Sequence, residues 1–230
     1  MTIAVLGATG MVGRRVAAEA GGRGHRVLAL SRKAEGEAEG ESGAERVTRV
    51  AVDVGDSAAL AEVLMGSGAD VLVLAVRSHP ADEEFLVGAT RAVLDAGARL
   101  GARVLVVGGA GALRSPGAGE LLVAHDPAYV PAELRAVAEA GVAQLRACEG
   151  HLGADWVYLS PPGLLEPGTR TGRYRRGGDT LLTDAGGRSW VSAEDLAVAV
   201  LDELENPGGE RHFTVVAAEE DEYPYPGRSE

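Results

Sequence analysis

Three glycines near the start of the chain have the spacing of a phosphate-binding turn. They occupy positions 7, 10 and 13, directly after the apolar run Ile3 to Leu6 and before a stretch with helical periodicity. Glycine at the first place permits a tight turn, at the second lets a phosphate approach the backbone, and at the third lets the helix pack on the strand. The N-terminus of the helix then offers unpaired N–H groups and a positive dipole end to a pyrophosphate.

Two cations follow the second predicted strand, which runs from Arg26 to Ser31. In a dinucleotide site a carboxylate at this place binds the ribose 2′-hydroxyl, whereas cations bind a 2′-phosphate. Arg32 and Lys33 therefore favour NADP(H). The alternative is that they only balance the acidic stretch from Glu35 to Glu45, which lacks periodicity and is predicted to be a solvated loop.

The elements that must position such a site alternate along the chain. Apolar runs predict further strands at 47–52, 71–76, 103–107 and 156–159, and helical spacing follows Ser57, Pro80 and Pro131. Ser57 can cap the first of these helices. The alternation predicts an α/β fold with a doubly wound parallel sheet and helices on both faces.

The character of the sequence changes after residue 160, where proline, glycine and arginine become frequent. Ser192 and Asp195 mark one more helix start, and residues 213–216 read as a last strand. We therefore expect one domain over residues 1–230, with a cofactor-binding core at 1–160 and a dependent substrate-side extension at 161–230.

Ligands of an open parallel sheet bind at the carboxyl ends of its strands. Small or polar residues follow every predicted strand of the core. The candidate binding positions are Gly7, Thr9, Gly10, Met11, Val12, Gly13, Arg32, Lys33, Asp53, Val54, Ala75, Val76, Arg77, Gly108, Gly109, Pro161 and Pro162. Asp53 reads equally well as a turn or helix-capping carboxylate.

Composition narrows the class of partner. A net charge of −12 argues against nucleic acids and anionic membranes, so we expect a small-molecule substrate; nothing indicates the oligomeric state. Cys148 is the only cysteine, which excludes an internal disulfide and a multi-cysteine metal site, and we expect no metal. Without a leader-like segment or an apolar stretch of bilayer length, the expected location is the cytoplasm.

The ordered motifs, together with the glycine-rich run after residue 107 and the Pro161–Pro162–Gly163 turn, resemble the atypical short-chain dehydrogenase/reductase superfamily. Within it the chain is similar to NmrA-like and biliverdin reductase B-like NAD(P)H-binding proteins, over nearly its whole length. The resemblance implies pyrophosphate on the amides from Thr9 to Val12 and a 2′-phosphate at Arg32. It also implies adenine beside Asp53 and Val54, ribose near Ala75, Val76 and Arg77, and nicotinamide near Gly108, Gly109, Pro161 and Pro162.

The proton-transfer residues of that superfamily, a serine, a tyrosine and a lysine, are incomplete here. Tyr129 precedes the helix opened by Pro131, but Glu133 stands where the lysine is expected and Arg135 lies two residues further. Ser115 could supply the serine. His125 is a second candidate proton donor beside Tyr129.

These residues suggest an NADPH-dependent reductase of a planar, conjugated acceptor such as a flavin or quinone, whose protons come from water. One alternative is a redox-sensing NADP(H)-binding regulator without turnover, and another is an isomerase or lyase. A basic cluster in the extension could recognise an anion, or could belong to a solvated hairpin that compensates nearby acids. Its members are Arg170, Arg173, Arg175 and Arg176.

Overall fold

A computed structural model describes residues 1–33, 44–78, 80–184 and 186–218. Its strands are β1 Thr2–Leu6, β2 Arg26–Ser31, β3 Val47–Ala51, β4 Val71–Leu74, β5 Arg103–Val107, β6 Trp156–Ser160, β7 Leu164–Glu166, β8 Tyr174–Gly177, β9 Trp190–Ser192 and β10 His212–Ala217. Its α-helices are α1 Gly13–Gly22, α2 Ser57–Met65, α3 Glu83–Leu100, α4 Arg135–Glu149 and α5 Ala193–Glu205.

One sheet organises the molecule, with the strand order β3-β2-β1-β4-β5-β6-β10-β8. Its strands pair in parallel except for β8, which runs antiparallel to β10. Strands β7 and β9 form a separate parallel pair. Strand order reverses between β1 and β4, so this is a Rossmann-type α/β fold, which confirms the predicted class.

Alternate residues of the buried strands face two apolar layers. Ile3 and Val5 of β1 pack with α1 and α5, whereas Ala4 and Leu6 pack with α2, α3 and α4. Strands covered on both faces must be apolar throughout, and β4 accordingly reads Val-Leu-Val-Leu with every residue buried.

Helices α2, α3 and α5 each begin after a residue whose side-chain oxygen accepts a backbone N–H of the first turn. The carboxylate of Asp56, not the hydroxyl of Ser57, caps α2 by accepting the Ala59 N–H, so the predicted capping role of Ser57 is wrong. Asp82 caps α3 in the same way, three residues before Phe85. The predicted cap of α5 is confirmed, because the Ser192 hydroxyl accepts the Asp195 N–H at 2.9 Å.

The predicted acidic loop from Glu35 to Glu45 lies almost entirely outside the described residues, which resume with a 3₁₀ turn at Ala44–Arg46. The helix predicted from Pro131 begins as a 3₁₀ turn at Ala132–Leu134 and becomes α-helical at Arg135. Among the helices of the four described ranges, none has the length and apolar character needed to cross a membrane.

Candidate functional site

The candidate site lies along the carboxyl edge of the sheet, at the point where strand order reverses. The glycine turn follows β1 at this edge and lies between the ends of the two neighbouring strands, β2 and β4. On one side the N–H groups of Gly7 and Ala8 both donate to the Leu30 carbonyl of β2, at 3.0 and 3.1 Å. On the other side the Ala75 N–H donates to the Leu6 carbonyl at 2.9 Å.

Packing restricts two of the three positions in the turn to glycine. Gly7 has φ +85°, and a Cβ on it would lie 2.4 Å from the Ala75 carbonyl oxygen. A Cβ on Gly13 would lie 2.2 Å from the Gly7 carbonyl oxygen, so helix α1 could not start against the strand. Gly10 is exposed, and a Cβ there would lie 3.2 Å from the same oxygen. The first and third glycines thus set the geometry of the turn.

The turn presents backbone donors that the protein itself does not use. In the described part of the chain, the N–H groups of Thr9, Met11 and Val12 have no hydrogen-bond partner, whereas Gly10 donates to Gly7. No side chain caps the N-terminus of α1 either. Unpaired amides at a helix N-terminus attract an anion, so this turn has the donors that a pyrophosphate requires.

The ends of β2 and β3 are exposed and polar. Arg32 and Lys33 are exposed, and within the described ranges neither forms an ion pair; the Ser31 hydroxyl donates to the Lys33 carbonyl at 2.6 Å. The Asp53 carboxylate accepts the Gly55 N–H at 2.9 Å, which is the turn role that the sequence left open for it. The neighbouring Val54 is half-buried.

The remaining strand ends complete the same edge. Ala75 and Val76 are half-buried beside the glycine turn, and Arg77 is exposed. Pro161 and Pro162 are buried after β6. The parallel pairing of β3, β2, β1, β4, β5 and β6 brings the ends of these strands, and the predicted binding positions that follow them, to one edge of the sheet.

Gly108 and Gly109, after β5, differ sharply in their surroundings. A Cβ on Gly108 would lie 1.9 Å from the hydroxyl oxygen of Tyr158 in β6, whereas a Cβ on Gly109 would meet no atom within 4 Å. Sequence reasoning missed Tyr158. The available signal was a tyrosine within a wholly apolar strand, since a buried phenol needs a hydrogen-bond partner.

The candidate proton donors are not joined to one another. Ser115 is buried and its Oγ has no hydrogen-bond partner among the described residues, whereas His125 and Tyr129 are exposed. No hydrogen bond in the described residues links any two of the three. Glu133 and Arg135 are both exposed near the start of α4. The described geometry thus contains no assembled serine, tyrosine and base.

Two carboxylates at the start of α5 hold the segment after β7. Burial tends to raise the pKa of Glu194, but hydrogen bonds from the Gly168 N–H and from Arg15 keep it below its usual value. Asp195 is buried and accepts the N–H groups of Thr171 and Gly172, each at 2.8 Å. These contacts fix residues 168–172 against the helix.

Two of the four arginines of the basic cluster pair with acids of other elements. Arg170 donates from Nε and Nη2 to both carboxylate oxygens of Glu19, each at 2.8 Å, and Arg176 pairs with Glu203 and Glu210. The Arg175 guanidinium donates to the Thr183 carbonyl at 2.5 Å. These pairings support charge compensation, the second reading of the cluster, rather than recognition of an anion.

A family model described as NAD(P)H-binding matches residues 7–207. The Bacillus subtilis protein YwnB, described only as uncharacterized, is 34% identical over 226 residues, covering 96% of this chain and all of YwnB.

Solved structures are similar over the same length. A candidate exported protein from Burkholderia pseudomallei is 37% identical with a TM-score of 0.80, covering 94% of this chain and 99% of that one. A candidate epimerase from Bacteroides thetaiotaomicron is 32% identical with a TM-score of 0.82, covering 95% and 97%. A candidate NADH-flavin reductase from Streptococcus pneumoniae is 25% identical with a TM-score of 0.76, covering 95% and 100%.

Proposed function

The chain belongs to the NAD(P)H-binding family, and from that premise we propose that it is an NADPH-dependent oxidoreductase which reduces a planar, conjugated small molecule such as a flavin or quinone. The resemblance to atypical short-chain dehydrogenase/reductase proteins agrees with this family. The observation that carries the proposal is the glycine turn at the reversal of strand order, with its three unpaired amides.

The residues at the carboxyl edge fit a dinucleotide. The amides of Thr9, Met11 and Val12 would hold the pyrophosphate, with the exposed Gly10 leaving room for its oxygens. The open side of Gly109 would accommodate the nicotinamide ring. When bound, reduced nicotinamide supplies a hydride, and the acceptor takes one further proton from water. The protein's own task is to hold the two reactants in contact.

Arg32 and Lys33 are the basis for proposing NADPH rather than NADH. Both are exposed at the end of β2, and neither is neutralised by a carboxylate of the described residues. A guanidinium binds phosphate with two parallel hydrogen bonds, so Arg32 suits the 2′-phosphate that distinguishes NADP from NAD.

We propose a conjugated electron acceptor because the candidate proton donors are not assembled into a site. A simple carbonyl needs a placed acid, but Ser115 is buried, and His125 and Tyr129 are exposed and unconnected. A conjugated acceptor spreads the incoming electrons over its ring system, so solvent can supply the proton. The name of the Streptococcus relative, a candidate NADH-flavin reductase, supports the same acceptor class.

The test is a titration of the purified chain with NADPH and with NADH, followed by absorbance at the nicotinamide band with FMN or a quinone present. We expect tighter binding of NADPH, and absorbance loss only with both acceptor and protein. The double variant Arg32→Ala/Lys33→Ala should weaken NADPH binding about tenfold and leave NADH binding unchanged. Arg26→Ala, an exposed arginine at the opposite end of the same strand, is the control and should change neither.

A second candidate function is isomerisation with a cofactor that is not consumed, favoured by the Bacteroides relative described as a candidate epimerase. Both an epimerase and a redox-sensing regulator would bind NADP(H) without consuming it. If the protein binds NADPH but none of the acceptors causes a loss of nicotinamide absorbance, the reductase activity is rejected. The epimerase and the redox-sensing regulator would then remain as candidate functions.

We propose the cytoplasm as the compartment. The single cysteine, Cys148, is a free and buried thiol, which suits a reducing environment. Burial raises the pKa of this thiol to about 12, so it has no nucleophilic role in the proposed reaction.

A further inference from the structure

Tyr158 lies in the middle of β6 with none of its surface exposed. Its hydroxyl is 3.0 Å from the Gly141 carbonyl oxygen and 3.2 Å from Oε1 of Gln144, both in α4. Burial raises the pKa of the phenol well above its ordinary value, and the Gly109 N–H partly opposes this effect. The buried hydroxyl therefore bonds to the helix and lies directly against Gly108, in the turn after β5.

The two glycines of that turn give it an inner and an outer side. The inner side is filled, because the phenol occupies the space where a side chain of Gly108 would stand. The outer side is open, because no atom of the described residues lies within 4 Å of the place for a Cβ on Gly109. The turn is thus supported from beneath by Tyr158 and exposes bare backbone at the carboxyl edge of the sheet.

Helix α4 closes the remaining sides of the turn. A Cβ on Gly111 would lie 2.7 Å from the Ala138 carbonyl oxygen, and one on Gly141 would lie 3.8 Å from the Gly109 nitrogen. The polar contacts continue inward, since the Gln144 amide donates to the Thr90 hydroxyl of α3 at 3.1 Å. A chain of buried hydrogen bonds therefore runs from α3 through α4 to Tyr158.

We propose that Tyr158 is a positioning residue whose hydroxyl holds Gly108 and Gly109 as a rigid surface against which the reacting ring of the cofactor rests. The inference depends on the proposed function for the identity of that ring. A buried hydroxyl that loses its partners has no water to replace them, so its bonds to α4 hold the phenol against Gly108 and thereby keep the turn in one conformation. Small displacements of a reacting ring cost much rate, which gives such rigidity a functional value.

The test compares two variants that each remove one tyrosine hydroxyl. Tyr158→Phe keeps the ring under Gly108 but deletes its polar contacts. Tyr174→Phe deletes the bond from the Tyr174 hydroxyl to Asp202, 2.7 Å long, between α5 and the edge strand β8, which lies three places from β5 in the sheet order. We expect amide deuterium exchange at residues 108–112 of the cofactor-free protein to be about tenfold faster in Tyr158→Phe, the equivalent of one hydrogen bond. Tyr174→Phe should leave it unchanged.

Kinetics provide the second readout. Tyr158→Phe should lower kcat for NADPH oxidation about tenfold and change the NADPH dissociation constant less than twofold, because misplacement affects the reacting ring and not the pyrophosphate. Tyr174→Phe should lower Tm alone. Equal exchange rates in the two variants, or equal kcat values, would overturn the positioning role.

Failure of the proposed function gives a different result. If the wild-type protein binds NADPH but none of the acceptors tested causes its oxidation, the proposed reductase activity is wrong. The exchange comparison then still decides whether Tyr158 holds the turn.

Discussion

The guanidinium of Arg15 joins the glycine turn to the C-terminal part of the chain through Glu194. Its Nε donates to Oε1 of Glu194 at 2.5 Å, while its Nη1 donates to the Met11 carbonyl at 2.8 Å. The other carboxylate oxygen of Glu194 accepts the Gly168 N–H at 2.7 Å. One half-buried ion pair thus links the predicted pyrophosphate turn to the segment that follows β7.

Glu194→Ala should weaken cofactor binding although Glu194 is not a predicted cofactor contact. Without the carboxylate, Arg15 loses the partner that orients it towards Met11, and the turn gains freedom that binding must remove. We expect the NADPH dissociation constant to rise about fivefold, together with a loss of about 1–2 kcal/mol in unfolding free energy. Fluorescence titration and urea denaturation measure the two effects. Glu62→Ala, an exposed helical position, should change neither, and an unchanged affinity in Glu194→Ala would restrict its role to stability.

Gly109→Ala should lower turnover without lowering stability, whereas Gly108→Ala should lower stability. Gly109 has φ −129° and ψ 160°, which alanine adopts freely, and open space for a methyl group, so this variant should fold with unchanged Tm. Its methyl group would occupy the proposed ring position, and turnover should fall at least tenfold. Gly108→Ala would place a methyl group against the Tyr158 hydroxyl and should destabilise the protein by about 3 kcal/mol. Full activity in Gly109→Ala would show that no ligand lies there.

The sequence predicted the parts of the molecule that local rules determine. Apolar runs located the core strands, and the spacing of Gly7, Gly10 and Gly13 located the turn, because each depends on neighbours close in sequence. The place of Asp56 was missed, since a carboxylate one residue before Ser57 is the better acceptor for the same orphan amides. The exact start of a helix depends on which neighbouring side chain caps it, and the periodicity of apolar residues carries no information on that choice.

The contacts between distant segments were not predictable. Tyr158 meets Gly108 only because β6 pairs beside β5, and Arg170 meets Glu19 across 151 positions of sequence. Charge counting identified the arginine cluster without its partners, which belong to α1, α5 and the turn before β10. The serine, histidine and tyrosine candidates were named by residue type, and their separate environments depend on the loop from 110 to 134.

Glu203 should be the most destabilising position to neutralise on α5. Its side chain is fully buried and bridges Arg103 at 2.8 Å and Arg176 at 2.6 Å. Glu203→Gln would leave two guanidinium groups facing each other with only the exposed carboxylates of Asp155 and Glu210 as counter-charges, at a cost of about 3–5 kcal/mol. Glu210→Gln removes the mostly exposed second partner of Arg176 and should cost less than about 1 kcal/mol. Urea denaturation at neutral pH distinguishes the two, and equal losses would contradict the assignment.

Stability should fall as the pH drops below about 6.5, in part through His212. Burial lowers the pKa of this imidazole below its usual 6.5, against a weaker opposing effect of Asp179. The unfolded chain therefore binds a proton before the folded chain does, and the folded state loses stability as pH falls from 6.5 through the lower folded pKa. His212→Gln should flatten this slope, measured as unfolding free energy against pH, whereas exposed His125→Gln should retain it. An unaltered slope in His212→Gln would exclude this source.

The position of β10 dictates the order in which the chain can be completed during synthesis. Strand β8 pairs only with β10 in the main sheet, and β10 lies between β6 and β8 although it comes last of the described strands. Residues 174–177 consequently leave the ribosome before their partner strand exists. The glycine turn and the core strands can form a cofactor-binding half early, whereas β8 is anchored in the sheet only when β10 emerges. A nascent chain should therefore acquire cofactor affinity before its main sheet is complete.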